Sequence, residues 1–248
     1  NALASIGDPL AVTVTNDSIV PTVQSVSSTE DAKTYKVGVV IPITVKFSES
    51  VFVTGTPLLA LETGNLDRTA TFDKISESDN KTLIFNYTVQ SGDNSADLAY
   101  TTSNALSLNS GTIKDAAGNV ATLTLPEPSA LNSLKVNKNL VIDGIVPTII
   151  SSVGYTGSKN IILNTTETVN GSSISANDFA VVMNSSQTSV TGVAVSGTSV
   201  TLTLADNIPN SATLSIKYTQ STNKITDTAG NALASIGDPL AVTVTNDS

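Results

Sequence analysis

Val39-Val40-Ile41-Pro42-Ile43-Thr44-Val45-Lys46-Phe47 carries an apolar side chain at every odd position, with Pro42, Thr44 and Lys46 among the residues between. Successive side chains of a strand point to opposite faces, so this stretch predicts a strand with one face buried and one face wet. The same period of two recurs at 83–89, 199–204, 213–218 and 240–244. These stretches are rich in Val, Ile, Thr and Tyr, which suit a pleated, half-buried surface. Gly, Asn, Asp, Ser and Pro cluster between them, as in Asn170-Gly171 and Gly92-Asp93-Asn94, and mark turns. No long stretch shows helical spacing; 127–135 and 172–180 are read as a helical turn at most.

Extended along the chain, the pattern predicts strands at 22–28, 39–48, 57–62, 67–75, 82–90, 97–102 and 134–142. A second set follows at 148–154, 159–164, 178–183, 189–195, 198–205, 212–219 and 239–246. Seven short alternating strands in roughly 100 residues is the pattern of an immunoglobulin-like sandwich. The expected fold is all-β: two tandem immunoglobulin-like β-sandwich domains, about seven strands each, arranged as a rod. The chain has no Cys and no Trp, so the disulfide and buried Trp of antibody domains are missing from it.

Residues 1–18, NALASIGDPLAVTVTNDS, return letter for letter as 231–248. An identity of this length predicts a tandem array with a unit of 230 residues, the offset between the copies. A weaker repeat lies inside the unit. Asp17-Ser18-Ile19-Val20-Pro21-Thr22 is echoed by Asp143-Gly144-Ile145-Val146-Pro147-Thr148, Glu49-Ser50-Val51 by Glu167-Thr168-Val169, and Tyr100-Thr101 by Tyr218-Thr219. Asp115-Ala116-Ala117-Gly118-Asn119 is echoed by Asp227-Thr228-Ala229-Gly230-Asn231. The boundaries that follow are 1–18 as the last strand of a preceding repeat, 19–143 as the first sandwich and 144–248 as the second. The linker is short and holds a Pro that fixes φ, so successive sandwiches are expected to be semi-rigidly joined.

Composition removes whole classes of function. Zero His and zero Cys leave no histidine base, no thiolate nucleophile and no Cys/His zinc site. Asp and Glu outnumber Lys and Arg by 21 to 12, so there is no basic excess to meet nucleic-acid phosphate. No apolar run is long enough to span a membrane. No signal segment opens the stretch, so its cellular address is not written in it. An enzyme is not expected.

The chain resembles the tandem bacterial Ig-like repeats of giant cell-surface and secreted adhesins, including cyanobacterial swimming-associated surface repeats. The residues that carry the resemblance are Phe47-Ser48-Glu49-Ser50-Val51, Gly55-Thr56-Pro57, Tyr87-Thr88-Val89, Asp97-Leu98-Ala99-Tyr100, 200–204 and the two DxAGN segments. The resemblance implies a bacterial, extracellular or cell-surface setting and a role as an extender or adhesive module. Some similar repeats bind calcium at domain junctions.

In a seven-strand sandwich the linker and two of the loops meet at the end where the chain comes in. Asp17, Glu49, Asp115 and Asn119 are therefore expected to converge on the first sandwich, and Asp143, Glu167, Asp227 and Asn231 on the second. Carboxylates with an Asn carbonyl are the hard oxygen donors that calcium takes, so calcium is the cofactor this grouping suggests. The other reading of DxAGN is a plain turn, in which Asp accepts backbone N–H groups and Gly takes positive φ. Asp93 and Asp97 read as a solvated turn, and Tyr87, Tyr100 and Tyr218 as core residues. The expected partners are neighbouring repeats of the same chain. The alternatives are a filament or sheath subunit, with residues 1–18 exchanged between copies, and a glycan-binding module.

Overall fold

The computed structural model describes residues 17–246. The first half runs β1 (Val23–Ser28), β2 (Thr34–Lys36), β3 (Val40–Phe47), β4 (Phe52–Thr54), β5 (Leu58–Glu62) and β6 (Arg68–Ile75). It continues through β7 (Thr82–Thr88), β8 (Asn94–Ser95), β9 (Ala99–Tyr100), β10 (Leu106–Ser107), β11 (Thr112–Lys114), a one-turn helix α1 (Leu134–Asn137) and β12 (Val141–Asp143). The second half holds β13 (Ile149–Tyr155), β14 (Asn160–Thr165), β15 (Phe179–Met183), β16 (Ser186–Thr188), β17 (Val190–Ser196), β18 (Ser199–Leu204), β19 (Leu214–Tyr218) and β20 (Ile236–Thr245). The fold is all-β apart from α1 and a 3-10 turn at Ala176–Asp178.

β3 lies between β1 and β7, and its odd-numbered residues Ile41, Ile43, Val45 and Phe47 are wholly buried. The main sheet of the first half is ordered β1-β3-β7-β6-β5-β10, with β9 also on β5, and the short ladders β11-β4 and β2-β12-β8 complete it. In the second half β20 joins two sheets. Its early residues pair antiparallel with β19, and Thr243–Thr245 pair parallel with β13. β12 plays the same closing part in the first half, parallel to β2 with Asp143 opposite Lys36. The last strand of each half thus lies beside an early one, and the linker residues leave from that seam.

Two separate apolar clusters result, one drawn from Val26 to Ile142 and one from Ile161 to Val242. Tyr87 and Tyr100 sit in the first and Tyr218 in the second, where its ring stacks on Phe179 at 4.8 Å between centroids.

The structure departs from the sequence expectation in two places. Residues 134–142 are not one strand. Ser133 caps a helical turn by accepting a hydrogen bond from the Val136 amide (3.4 Å), and only Val141–Asp143 pairs as a strand. The strand number is also higher than seven per half, because β2, β4, β8, β10, β11 and β16 are two or three residues long. A period of two cannot be read from so few positions. The strand expected at 1–18 lies, for residues 1–16, outside the described residues.

Candidate metal sites at the leading ends

Each half has a leading end, where the linker enters, and a trailing end, where the chain leaves. At the first leading end Asp17 comes from the linker, Glu49 follows β3 and Asp115 follows β11. One carboxylate oxygen from each lies within 4.8 Å of the other two. Asp143, Glu167 and Asp227 form the same group, to the same limit, at the second leading end. The Glu stands 32 residues after the linker Asp in the first half (17 to 49) and 24 after it in the second (143 to 167). Convergence at unequal spacing is the work of the sheet.

Local bonds fix each carboxylate. The linker Asp accepts the amide two residues on, Ile19 N–H to Asp17 at 3.0 Å and Ile145 N–H to Asp143 at 3.1 Å. The linker is stitched to the residue before the Glu. Thr22 N–H donates to Ser48 Oγ (3.1 Å) while Ser48 N–H donates to the Thr22 carbonyl (2.8 Å). Thr148 and Thr166 repeat the pair at 3.0 and 2.9 Å. The DxAGN loops close on themselves, with Asn119 N–H on Asp115 and Asn231 N–H on Asp227, both at 2.8 Å. The turn requires positive φ at its fourth residue, +95° at Gly118 and +93° at Gly230, which glycine adopts without steric cost.

Asn119 and Asn231 have a different part from the one expected of them. Their amide nitrogens, not their carbonyls, face the acids. Asn119 Nδ2 donates to Asp115 (2.7 Å) and to the carbonyls of Asp17 (3.0 Å) and Ile19 (3.2 Å). Asn231 Nδ2 donates to Asp227 (2.8 Å) and to the carbonyls of Asp143 (2.9 Å) and Ile145 (3.3 Å). A nitrogen bearing two hydrogens among three acceptors cannot be a cation ligand. The Asn pins the linker to the DxAGN loop, and the oxygens left there for a cation would be those of the three carboxylates.

The acids are costly as they stand. Glu49 Oε1 and Glu167 Oε1 are buried with no hydrogen-bond partner, and an unpaired buried polar atom costs about 1–3 kcal/mol. Burial, then the charges of Asp227 and Asp143, push the Glu167 carboxyl above its ordinary range. Burial and the charge of Asp227 also raise Asp143, against the hydrogen bond from Ile145. Asp115 goes the other way. Burial would raise it, but hydrogen bonds from the Asn119 side chain and the amides of Asn119, Gly118 and Ala117 hold it below the ordinary carboxylate value.

Three carboxylates fit one hard cation. Oxygens bound to calcium at 2.3–2.6 Å can be at most about 5 Å apart, and these lie within 4.8 Å. They could supply up to six oxygens if each bound in bidentate fashion, and backbone carbonyls or water complete such shells.

The second leading end has features that the sequence did not announce. Asp93 is not in a solvated turn. It is buried, and accepts from Arg68 Nε (2.7 Å), Tyr87 Oη (2.7 Å) and Gln90 N–H (2.9 Å). The loop it holds grips the linker, with Gly144 N–H on the Asp93 carbonyl (2.7 Å) and Gly92 N–H on the Gly144 carbonyl (2.8 Å). A Cβ on Gly144 would fall 2.2 Å from the Gln90 carbonyl oxygen. The signal available in sequence was small: Gly144 stands where the other linker has Ser18. The first half also touches the second directly. Val37 N–H donates to Asn231 Oδ1 (2.9 Å) and Lys36 Nζ to the Gly230 carbonyl (3.0 Å).

Residues 143–223, about a third of the chain, match a family described as "putative flagellar system-associated repeat". The match begins at the linker Asp143 and covers most of the second half, as befits a repeat of a surface-associated protein. No curated protein matches the chain.

Proposed function

We propose that this chain is a non-catalytic extender repeat of a long bacterial extracellular adhesin, which projects a binding region from the cell surface and is stiffened by calcium at each leading end. The observation that carries the reading is the duplicated carboxylate triad, each copy at a linker and each with a buried Glu oxygen lacking a partner. A divalent cation would neutralise the mutual repulsion of the three acids and fix the linker Asp to two loops of the following sandwich. The 230-residue repeat and the match to a swimming-associated repeat support an array in which reach is the gain. That no helix among the described residues is long and apolar enough to cross a membrane accords with an extender segment.

The test is thermal unfolding of the chain in calcium and in chelator. A ligand that binds only the folded state adds about 2.7 kcal/mol at a hundredfold excess over Kd. The expected result is an upward shift in calcium that Glu49→Gln and Glu167→Gln each reduce. Superimposable melts in millimolar calcium and in chelator would sink the metal assignment.

A further inference from the structure

The contact between the two halves has a counterpart that the described residues leave open. At the observed contact, the turn Lys36–Val39 of the first half sits on the DxAGN loop of the second, through Lys36 to Gly230 and Val37 to Asn231. That turn has a backbone bond from Val39 N–H to the Lys36 carbonyl (3.3 Å) and positive φ at its third residue, Gly38. The second half has a turn of the same build, Tyr155–Ser158, with Ser158 N–H on the Tyr155 carbonyl (3.1 Å) and positive φ at Gly157. It bonds its neighbour in the same way, Gly157 N–H and the Ser158 carbonyl to Ile208 as Gly38 N–H and the Val39 carbonyl bond Val89, and it ends a strand parallel to the closing strand, with Tyr155 opposite Thr245, two residues before the counterpart of Asp143. Tyr155 thus stands where the first half has Lys36, and is 39% exposed.

The other side of the contact changes in step. In the second half the row beside the DxAGN loop is Asn170, Thr226 and Ala232, joined by bridges. Lys36, Thr226 and Ala232 line a groove of about 480 Å³ of mixed polar and apolar character. In the first half the same row is Phe52, Lys114 and Val120, joined by the same pairings. Phe52 is 60% exposed, Val120 55% and the neighbouring linker residue Ile19 69%, whereas Ile145, the counterpart of Ile19, is 37% exposed where the halves meet. Asn119 Oδ1 has no partner among the described residues, while Asn231 Oδ1 is taken by Val37. Lys36 thus lies beside a row of Asn, Thr and Ala inside the unit, while exposed Tyr155 has as its counterpart a row that exposes Phe52 and Val120 on either side of Lys114.

We propose that the leading end of the first half is the docking surface for the trailing end of the second half of another copy of this repeat, with Tyr155 seated against Val120 and Phe52. The occupant follows from two observations. The sequence identity of 1–18 with 231–248 places a second half immediately before each first half in an array, and the junction inside the unit displays the docking geometry. The inference rests on the tandem-array part of the proposed function and not on calcium.

The test uses a chain of two consecutive repeats, residues 1–248 continued by a second copy of 19–248. With no native Cys, two introduced cysteines are the sole targets of a short bis-maleimide. Tyr155→Cys in the first copy is paired either with Val120→Cys or with Leu131→Cys in the second copy, Leu131 being the more accessible of the two sites and in a different loop. The expected result is linking to position 120 at least tenfold faster than to position 131. Phe52→Asp in the second copy, at an exposed site, should slow the linking to 120 several-fold without moving the melt. Lys114→Glu, which keeps the apolar pair, should slow it less. Equal rates at 120 and 131, or a 120 rate indifferent to Phe52→Asp, would overturn the docking. Comparing calcium with chelator separates the two proposals. Fast linking with no calcium shift leaves the docking and removes the metal sites; a calcium shift with equal linking does the reverse.

Discussion

The two leading ends carry the same triad of acids, the same Asx turn in the linker and the same Asn clamp, yet they differ in what surrounds them. The second is sealed. Gly144 is enclosed by the Gln90–Asp93 loop, and Asn231 is buried beneath Val37. The first has Ser18 in the linker and an Asn119 that is only half-buried, with Phe52 and Val120 exposed beside it. The difference teaches that the acids and the clamp belong to each sandwich, while the sealing belongs to the neighbour. The linker residue differs as well, Gly144 at the enclosed end and Ser18 at the exposed one.

The comparison breaks most visibly at Asp93, which has a role only at the second junction. Asp93→Ala would leave Arg68 and the Tyr87 hydroxyl without their buried acceptor, and breaking such a pair costs about 3–5 kcal/mol. Chemical denaturation should show that loss, together with faster proteolysis at 143–146. An unchanged midpoint would mean that the Asp93 loop does not hold the linker.

The Asn clamps come next. Asn231→Ala removes three donated bonds and one accepted bond from a buried site, while Asn119→Ala removes three donated bonds from a half-buried one. Losses of about 2–3 and about 1 kcal/mol are expected. Equal losses in urea titrations would show that the first junction is as enclosed as the second. Gly144→Ser should destabilise by about 1–3 kcal/mol through overpacking, whereas Ser18→Gly at an exposed position should stay within about 0.5 kcal/mol. If the two exchanges cost the same, Gly144 is no more enclosed than Ser18.

The smallest effect is the dependence on pH. Asp143 and Glu167 have raised values in the folded protein, so their charged forms oppose folding. That opposition is fully present above the folded values and fades as the pH falls through them toward the unfolded values near 4. In chelator, lowering the pH from 7 toward 5 should therefore raise the melting temperature of the second half. Glu167→Gln should raise it by about 1–2 °C at pH 7 and flatten the dependence. Asp115 has the opposite sign. Its lowered value gives stability that is lost only as the pH falls through that value. A melt that falls steadily from pH 7 to 5 would contradict the raised values at the second junction.

Much of the molecule was legible in the chain itself. The alternation in 39–47 became β3 with its odd positions buried, and most longer strands lie within two residues of where the period placed them. The internal repeat matched the acids of one half to those of the other, and both triads meet at the ends where the linkers enter. Less was legible at Asp93, where a Gly/Asn loop looks solvated until Arg68 and Tyr87 are brought to it from β6 and β7. Residues 134–142 carry Leu134, Val136, Leu140 and Ile142 at even positions, a strand pattern that a Ser cap and the burial of Leu134 override.

By itself the sequence determined the all-β class, the 230-residue repeat, the correspondence of the halves and the absence of any His or Cys chemistry. Each of these depends on residue identity and on periods of two to a few residues, which local sterics and the burial of one face translate directly into strands. Only the tertiary structure decided which way the Asn amides point, that Gly144 is enclosed, and that Lys36 reaches the DxAGN loop of the second half while Phe52 and Val120 stay exposed beside that of the first. Those outcomes depend on hydrogen bonds and packing between elements far apart in the chain, and no local period records which atoms a sandwich will bring face to face.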